Sequence, residues 1–109
     1  MELLETLRSD IKATLLGEYN CIVEKINHYE EFLKKERELR DGLQKILKII
    51  KNDNELNVNK VLQEYLEEKI MLCDSMIRDF EQFRDDEIEE RERYEHEWPQ
   101  LFISGKKKN

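Results

Sequence analysis

Cys21, His28, Cys73 and His96 are the side chains with donor atoms for a soft metal ion. A zinc site needs four such ligands converging at about 2.0–2.3 Å, and local pairs such as C-x2-C usually begin that convergence. Here the four stand singly along the chain, and no two of them meet when it is folded into one hairpin. A di-iron bundle needs Glu-x-x-His on inward faces, but the residues three before the histidines are Lys25 and Arg93. Carboxylates are plentiful, yet paired acid–base catalysis needs two of them in a water-poor pocket, and a narrow helical seam offers no such concavity. The chain has no Ser-His-Asp arrangement and no Gly-rich phosphate loop. The expectation is no metal, no cofactor and no catalytic residue, hence not an enzyme. Cys73 is expected as a small hydrophobe in an apolar stripe, with His28 on a helix flank.

The elements follow from composition. Three Gly and one Pro in 109 residues are too few for the closely spaced turns of a sheet. With 41% charged residues and the apolar ones still in register, the pattern is that of long amphipathic helices or a coiled coil. The strong break is Lys51-Asn52-Asp53-Asn54-Glu55-Leu56-Asn57, where Asn and Asp compete with helical hydrogen bonds and Asn57 is a candidate N-cap. This gives one hairpin domain over 1–98, with arm one at 2–51, a turn at 52–57 and arm two at 58–98, followed by a tail at 99–109.

In arm one, Leu4, Leu7, Ile11, Leu15, Tyr19, Ile22, Ile26, Tyr29 and Leu33 recur in steps of three and four. After the charged run Lys34-Lys35-Glu36-Arg37-Glu38 the stripe resumes at Leu39, Leu43, Ile46, Leu47 and Ile50. An interruption of this kind sets register at a cost in stability, or else recognises a partner. Gly17 offers a point where a short leading helix can separate from the main one. Arm two fills two adjacent rows, Leu62, Tyr65, Leu72, Met76, Phe83 and Leu66, Ile70, Cys73, Ile77, Phe80. So wide a stripe wants two neighbours.

Residues 84–97 change character: Ile88 and Tyr94 are apolar, and Glu87–Arg91 and Glu89–Arg93 are spaced for ion pairs. A solvated helical extension is expected there. Trp98-Pro99 ends the helix, and the apolar residues Leu101-Phe102-Ile103 of the tail are expected to lie back on the helices, ahead of the basic run Lys106-Lys107-Lys108.

A turn centred near Asn54 pairs Leu47 with Val61, Leu43 with Tyr65, Leu39 with Lys69, Leu33 with Ser75 and Tyr29 with Asp79, each within a turn. A lone two-helix hairpin of this length buries little per residue against its ordering entropy. The fold class is therefore all-α, a long antiparallel hairpin. Either a short N-terminal segment folds back as a third helix or two chains pair into a dimeric bundle, and pairing is the expectation.

The net charge of -7 disfavours nucleic acid, which requires a basic face, and favours a basic or mixed-charge protein partner. No apolar run reaches the roughly 18–20 residues of a membrane span. Met1, Glu2 and Glu5 do not open a signal peptide. Two cysteines in such a chain fit free thiols in a reducing compartment, the cytoplasm.

The run Phe32-Leu33-Lys34-Lys35-Glu36-Arg37-Glu38-Leu39-Arg40-Asp41-Gly42-Leu43-Gln44-Lys45-Ile46-Leu47 resembles the first arm of the Rho-effector coiled-coil finger found in protein kinase N, rhotekin and the CIP/TOCA adaptors. Leu33, Glu36, Leu39-Arg40, Gly42 and Ile46-Leu47 carry the pattern, and the resemblance covers residues 26–83. It implies an antiparallel finger that binds a small Rho-type GTPase or packs against neighbouring modules.

Together these readings give a non-catalytic interaction or scaffold module that binds a second copy or a partner protein. Tyr65, Leu72, Met76, Phe80 and Phe83 are its expected packing surface, with Arg37 and Arg40 as polar contacts. From another class, the same residues suit an assembly factor or secretion-type chaperone that shields a client helix.

Overall fold

The structure, a computed structural model, describes residues 2–52 and 57–102, with the backbone alone at 57–59. Helix α1 spans Glu2–Asn52, α2 spans Asn57–Glu97, and a single turn of helix, α3, spans Pro99–Phe102. Among the described residues there is no strand, and α1 packs on α2 as a helical hairpin. Residues 53–56 of the expected turn, the side chain of the expected cap Asn57, and the tail from Ile103 on lie outside the described residues.

Gly17 does not divide α1, which runs through it without a break. Its cost of about 1 kcal/mol relative to Ala is small beside the packing of the residues around it. The third helix lies at the C-terminal end, not the N-terminal one. The chain forms two compact units: a terminal unit of residues 1–28 with 84–109, and a loop unit of residues 29–83.

In the terminal unit the core is Ile22, Ile26, Tyr94 and Phe102, with Leu15, Leu16, Tyr19, Ile88, Trp98 and Leu101 packed against it. Residues 84–97 are thus not a solvated extension. Arg84, Glu87 and Arg91 occupy every third or fourth position on the inner side and are half-buried, and Tyr94, next in the series, is buried. Long charged side chains can cover apolar neighbours with their stems while their heads reach solvent, so a charged sequence still makes a seam. The ion pairs also differ from those expected. Glu87 pairs with Lys25 of α1 at 3.8 Å, and Arg93 pairs with Glu90 and, at 3.4 Å, with Glu97.

Two reciprocal tyrosine–carboxylate bonds tie the helices of this unit together. The Tyr19 hydroxyl donates to Glu95 at 2.7 Å and the Tyr94 hydroxyl donates to Glu18 at 2.5 Å. Pro lacks an N–H and restricts the residue before it, so α2 stops at Glu97 and Pro99 takes the first position of α3. The Trp98 N–H still bonds the Tyr94 carbonyl at 2.9 Å. The short α3 brings Phe102 into stacking contact with Tyr19, with ring centroids 4.1 Å apart. Leu101 and Phe102 do lie back on the helices.

Burial, and after it the hydrogen bond to the Glu95 carboxylate, pushes the Tyr19 hydroxyl up to about 12 from an ordinary value of 10.0. The folded chain therefore keeps this proton where the unfolded chain loses it. The contribution is fully present below pH 10 and is lost as pH rises toward 12. Thermal melts stepped through this window should show falling stability, and Tyr19→Phe should flatten the fall. A variant with an unchanged slope would contradict the assignment.

In the loop unit the seam of α1 is Tyr29, Leu33, Glu36, Arg40, Leu43, Leu47 and Ile50, all buried or half-buried. That of α2 is Gln63, Leu66, Ile70, Cys73, Ile77 and Phe80. Leu33 is fully enclosed, with 0% of its surface exposed. The charged run therefore does not interrupt the seam: the steps of three and four continue through Glu36 and Arg40, while Leu39 and Ile46 stand outside it. The aromatic pairs show the register. Phe32 stacks on Phe80 at 4.1 Å, and Tyr29 meets Phe80 at 5.7 Å and Phe83 at 6.0 Å. Phe32 thus meets α2 about one turn beyond Met76, the residue that a turn centred at Asn54 would set opposite it.

Candidate docking surface

A helix that presents one stripe to a partner leaves a row on either side of it, and those rows lie on opposite flanks of a two-helix unit. In the loop unit one flank is bridged by ion pairs. Arg37 bonds Glu81 at 2.9 Å, Arg40 bonds Asp74 at 3.4 Å and Lys51 meets Glu67 at 3.6 Å. A groove on this flank is lined by Arg40, Met71, Asp74, Ile77, Arg78 and Glu81. Arg37 and Arg40 are thus engaged within the chain rather than held out toward a partner.

The bridged rows fix what occupies the opposite flank. On α1 it carries Phe32, Leu39 and Ile46; on α2 it carries Leu62, Met76 and Phe83, with Tyr65 and Leu72 one step further round. Seven of these eight are open to solvent: Tyr65 is 54% exposed, Leu72 52%, Leu39 51%, Ile46 48% and Phe83 46%, with Leu62 and Met76 close behind. Seven large apolar side chains left about half open amount to on the order of 600 Å², at the upper limit of what an ordinary monomer exposes as one patch.

Of the residues expected to form the packing surface, Tyr65, Leu72, Met76 and Phe83 share this flank. Phe80 does not: it is held in the seam by Tyr29 and Phe32. Leu39 and Ile46 join the flank although periodicity placed them in the stripe of arm one. The row on α2 also holds two charged residues, Lys69 and Asp79, at the remaining places of the repeat 62, 65, 69, 72, 76, 79, 83. Both are exposed, and the Lys69 ammonium lies 5.5 Å from the centre of the Tyr65 ring. Sequence reasoning sets these two opposite Leu39 and Tyr29 but does not join them as a pair, because it weighs only the apolar members of the row.

The side chains that could have done metal or thiol chemistry are dispersed. Cys21 is exposed and Cys73 buried, both as free thiols, and His28 and His96 are exposed. Burial pushes the Cys73 thiol up, and a hydrogen bond to Glu36 adds to the shift, which makes it a poor nucleophile. Among the described residues no group of three or more His, Cys, Asp or Glu side chains is placed to hold a metal ion. Among them, too, no helix is long and apolar enough to cross a membrane. No family model matches the chain, and neither a curated protein nor a solved structure matches it.

Proposed function

We propose that this protein is a non-catalytic protein–protein interaction module whose docking surface is the apolar flank of the loop unit. The observation that carries the proposal is the contrast between the flanks. One is bridged by three cross-helix ion pairs and leaves Met71 as its exposed large apolar residue; the other leaves Leu39, Ile46, Leu62, Tyr65, Leu72, Met76 and Phe83 open. Apolar surface of this extent gains free energy when another apolar face removes it from water. A partner helix laid along the flank would read it at helical spacing. The work of such a module, in the cytoplasm on this reading, is assembly. The finger resemblance adds a small Rho-type GTPase as one kind of protein it could assemble with.

A hydrophobic dye tests the surface directly. Wild-type protein at high dilution should bind the dye, and signal per molecule should fall as concentration rises and the flank is covered. Leu72→Glu with Met76→Glu should lower the signal at high dilution and abolish its fall with concentration, leaving what the exposed Leu3, Leu4, Leu7 and Ile11 bind. Absence of dye binding at every concentration, with no change in the variant, would contradict the proposal. A client-shielding chaperone uses the same residues, and the mixture of Met76 with the aromatic Tyr65 and Phe83 suits that role. It differs in one outcome: its dye signal per molecule stays constant over the whole range of concentration.

A further inference from the structure

We infer that the occupant of this flank is a second copy of the chain, with its α2 antiparallel to the first about a two-fold axis at the level of residue 74. The inference rests on the flank being a docking surface. It comes from the placement of Lys69 and Asp79 in an otherwise apolar row. A two-fold axis makes each contact occur twice, residue i on j and j on i. With the axis level with residue 74, Lys69 faces Asp79 of the second copy, Leu72 faces Met76, and Tyr65 faces Phe83. Both charges are then paired, and every large apolar residue between them meets another.

Other arrangements leave at least one of the two charges uncompensated. A parallel dimer sets Lys69 against Lys69 and Asp79 against Asp79. Sliding the antiparallel pair by one heptad one way sets Lys69 against Leu72 and Asp79 against Leu62, and the other way sets Asp79 against Met76. A charge covered by apolar surface without a partner is strongly unfavourable, so this pair selects one register, much as a lone polar residue does in a coiled coil. The area is sufficient as well. The apolar flank, on the order of 600 Å², reaches the low end of the roughly 600–1,000 Å² per partner that specific interfaces bury.

The test is a charge swap read by sedimentation equilibrium, with circular dichroism as the control for folding. Both positions are exposed, so Lys69→Asp, Asp79→Lys and the double variant should keep wild-type helicity. Wild type should dimerise, and each single variant should weaken the dimer about tenfold or more, since like charges now face each other. Asp79→Lys should do so even though it lowers the net negative charge. The double variant restores opposite charges at both pairs, keeps the net charge at -7, and should return to within a few-fold of wild type. Single variants that dimerise like wild type, or a double variant whose loss is the product of the two single losses, would overturn the two-fold. Wild type that stays monomeric while the flank still binds dye would overturn the second copy and leave the docking surface standing. Loss of both signals would overturn both.

Discussion

Replacing Leu33 by Ala should destabilise the chain by about 3 kcal/mol, the middle of the range for emptying a fully enclosed leucine site. Leu33 is the one described side chain with no exposed surface, and its neighbours on both helices are fixed by cross-helix ion pairs and aromatic stacking. They cannot collapse freely into the space, so the cavity penalty adds to the lost transfer energy. A fall in Tm on the order of 10–20 °C is expected for a domain of this size. Leu39→Ala, six residues along but half open to solvent, should cost well under 1 kcal/mol in the monomer. Urea titrations of the two variants in dilute solution check the contrast, and equal losses would mean that the seam is misplaced.

Replacing Tyr94 by Ala should be of similar size, about 3 kcal/mol, because it removes a buried ring and a hydrogen bond together. Tyr94 is part of the terminal-unit core, its hydroxyl donates to Glu18, and its ring meets those of Trp98 and Phe102. Tyr94→Phe keeps the ring and should lose only about 1 kcal/mol, the net value of the hydrogen bond. Trp98 is the single tryptophan, so its emission reports this unit. It should shift to the red in folded Tyr94→Ala, where the contacting ring is gone, and stay put in folded Leu33→Ala. An unmoved emission in Tyr94→Ala would contradict the packing described.

The helical class and the hairpin were legible because apolar residues recur in steps of three and four, and the one cluster of Asn and Asp divides them. What periodicity cannot do is separate a seam made of side-chain stems from a solvated face. Glu36 and Arg40 lie in the seam, as do Arg84, Glu87 and Arg91, although each residue type alone argues for solvent. For the same reason Leu39 and Ile46 were read as inward. Their spacing fits a stripe, but the continuous repeat passes through their charged neighbours instead. The observed register lies within the turn allowed for a centre at Asn54, offset toward the C-terminus of α2 where Phe32 meets Phe80, because a break of several Asn and Asp residues does not mark a single central residue. The two filled rows of arm two were visible as such. Which row faces α1 is visible only in the fold, where Glu67, Asp74 and Glu81 meet cations of α1 on one flank and Leu62, Leu72 and Met76 turn outward on the other.

The same geometry engages Arg37 and Arg40 within the chain. Both are held by carboxylates of α2, and a partner would have to break those pairs to use them. The flank that remains offers apolar area and a single pair of charges, so association there should depend on shape and register more than on net charge.

Absolute mass by light scattering over a dilution series, with Leu72→Glu beside wild type, tests the docking of a second copy on this flank most directly. Wild type should pass from monomer to dimer as concentration rises, while the variant, placing a charge where Leu72 meets Met76, should remain monomeric at full helicity. Wild type and variant with the same mass at every concentration would contradict the account.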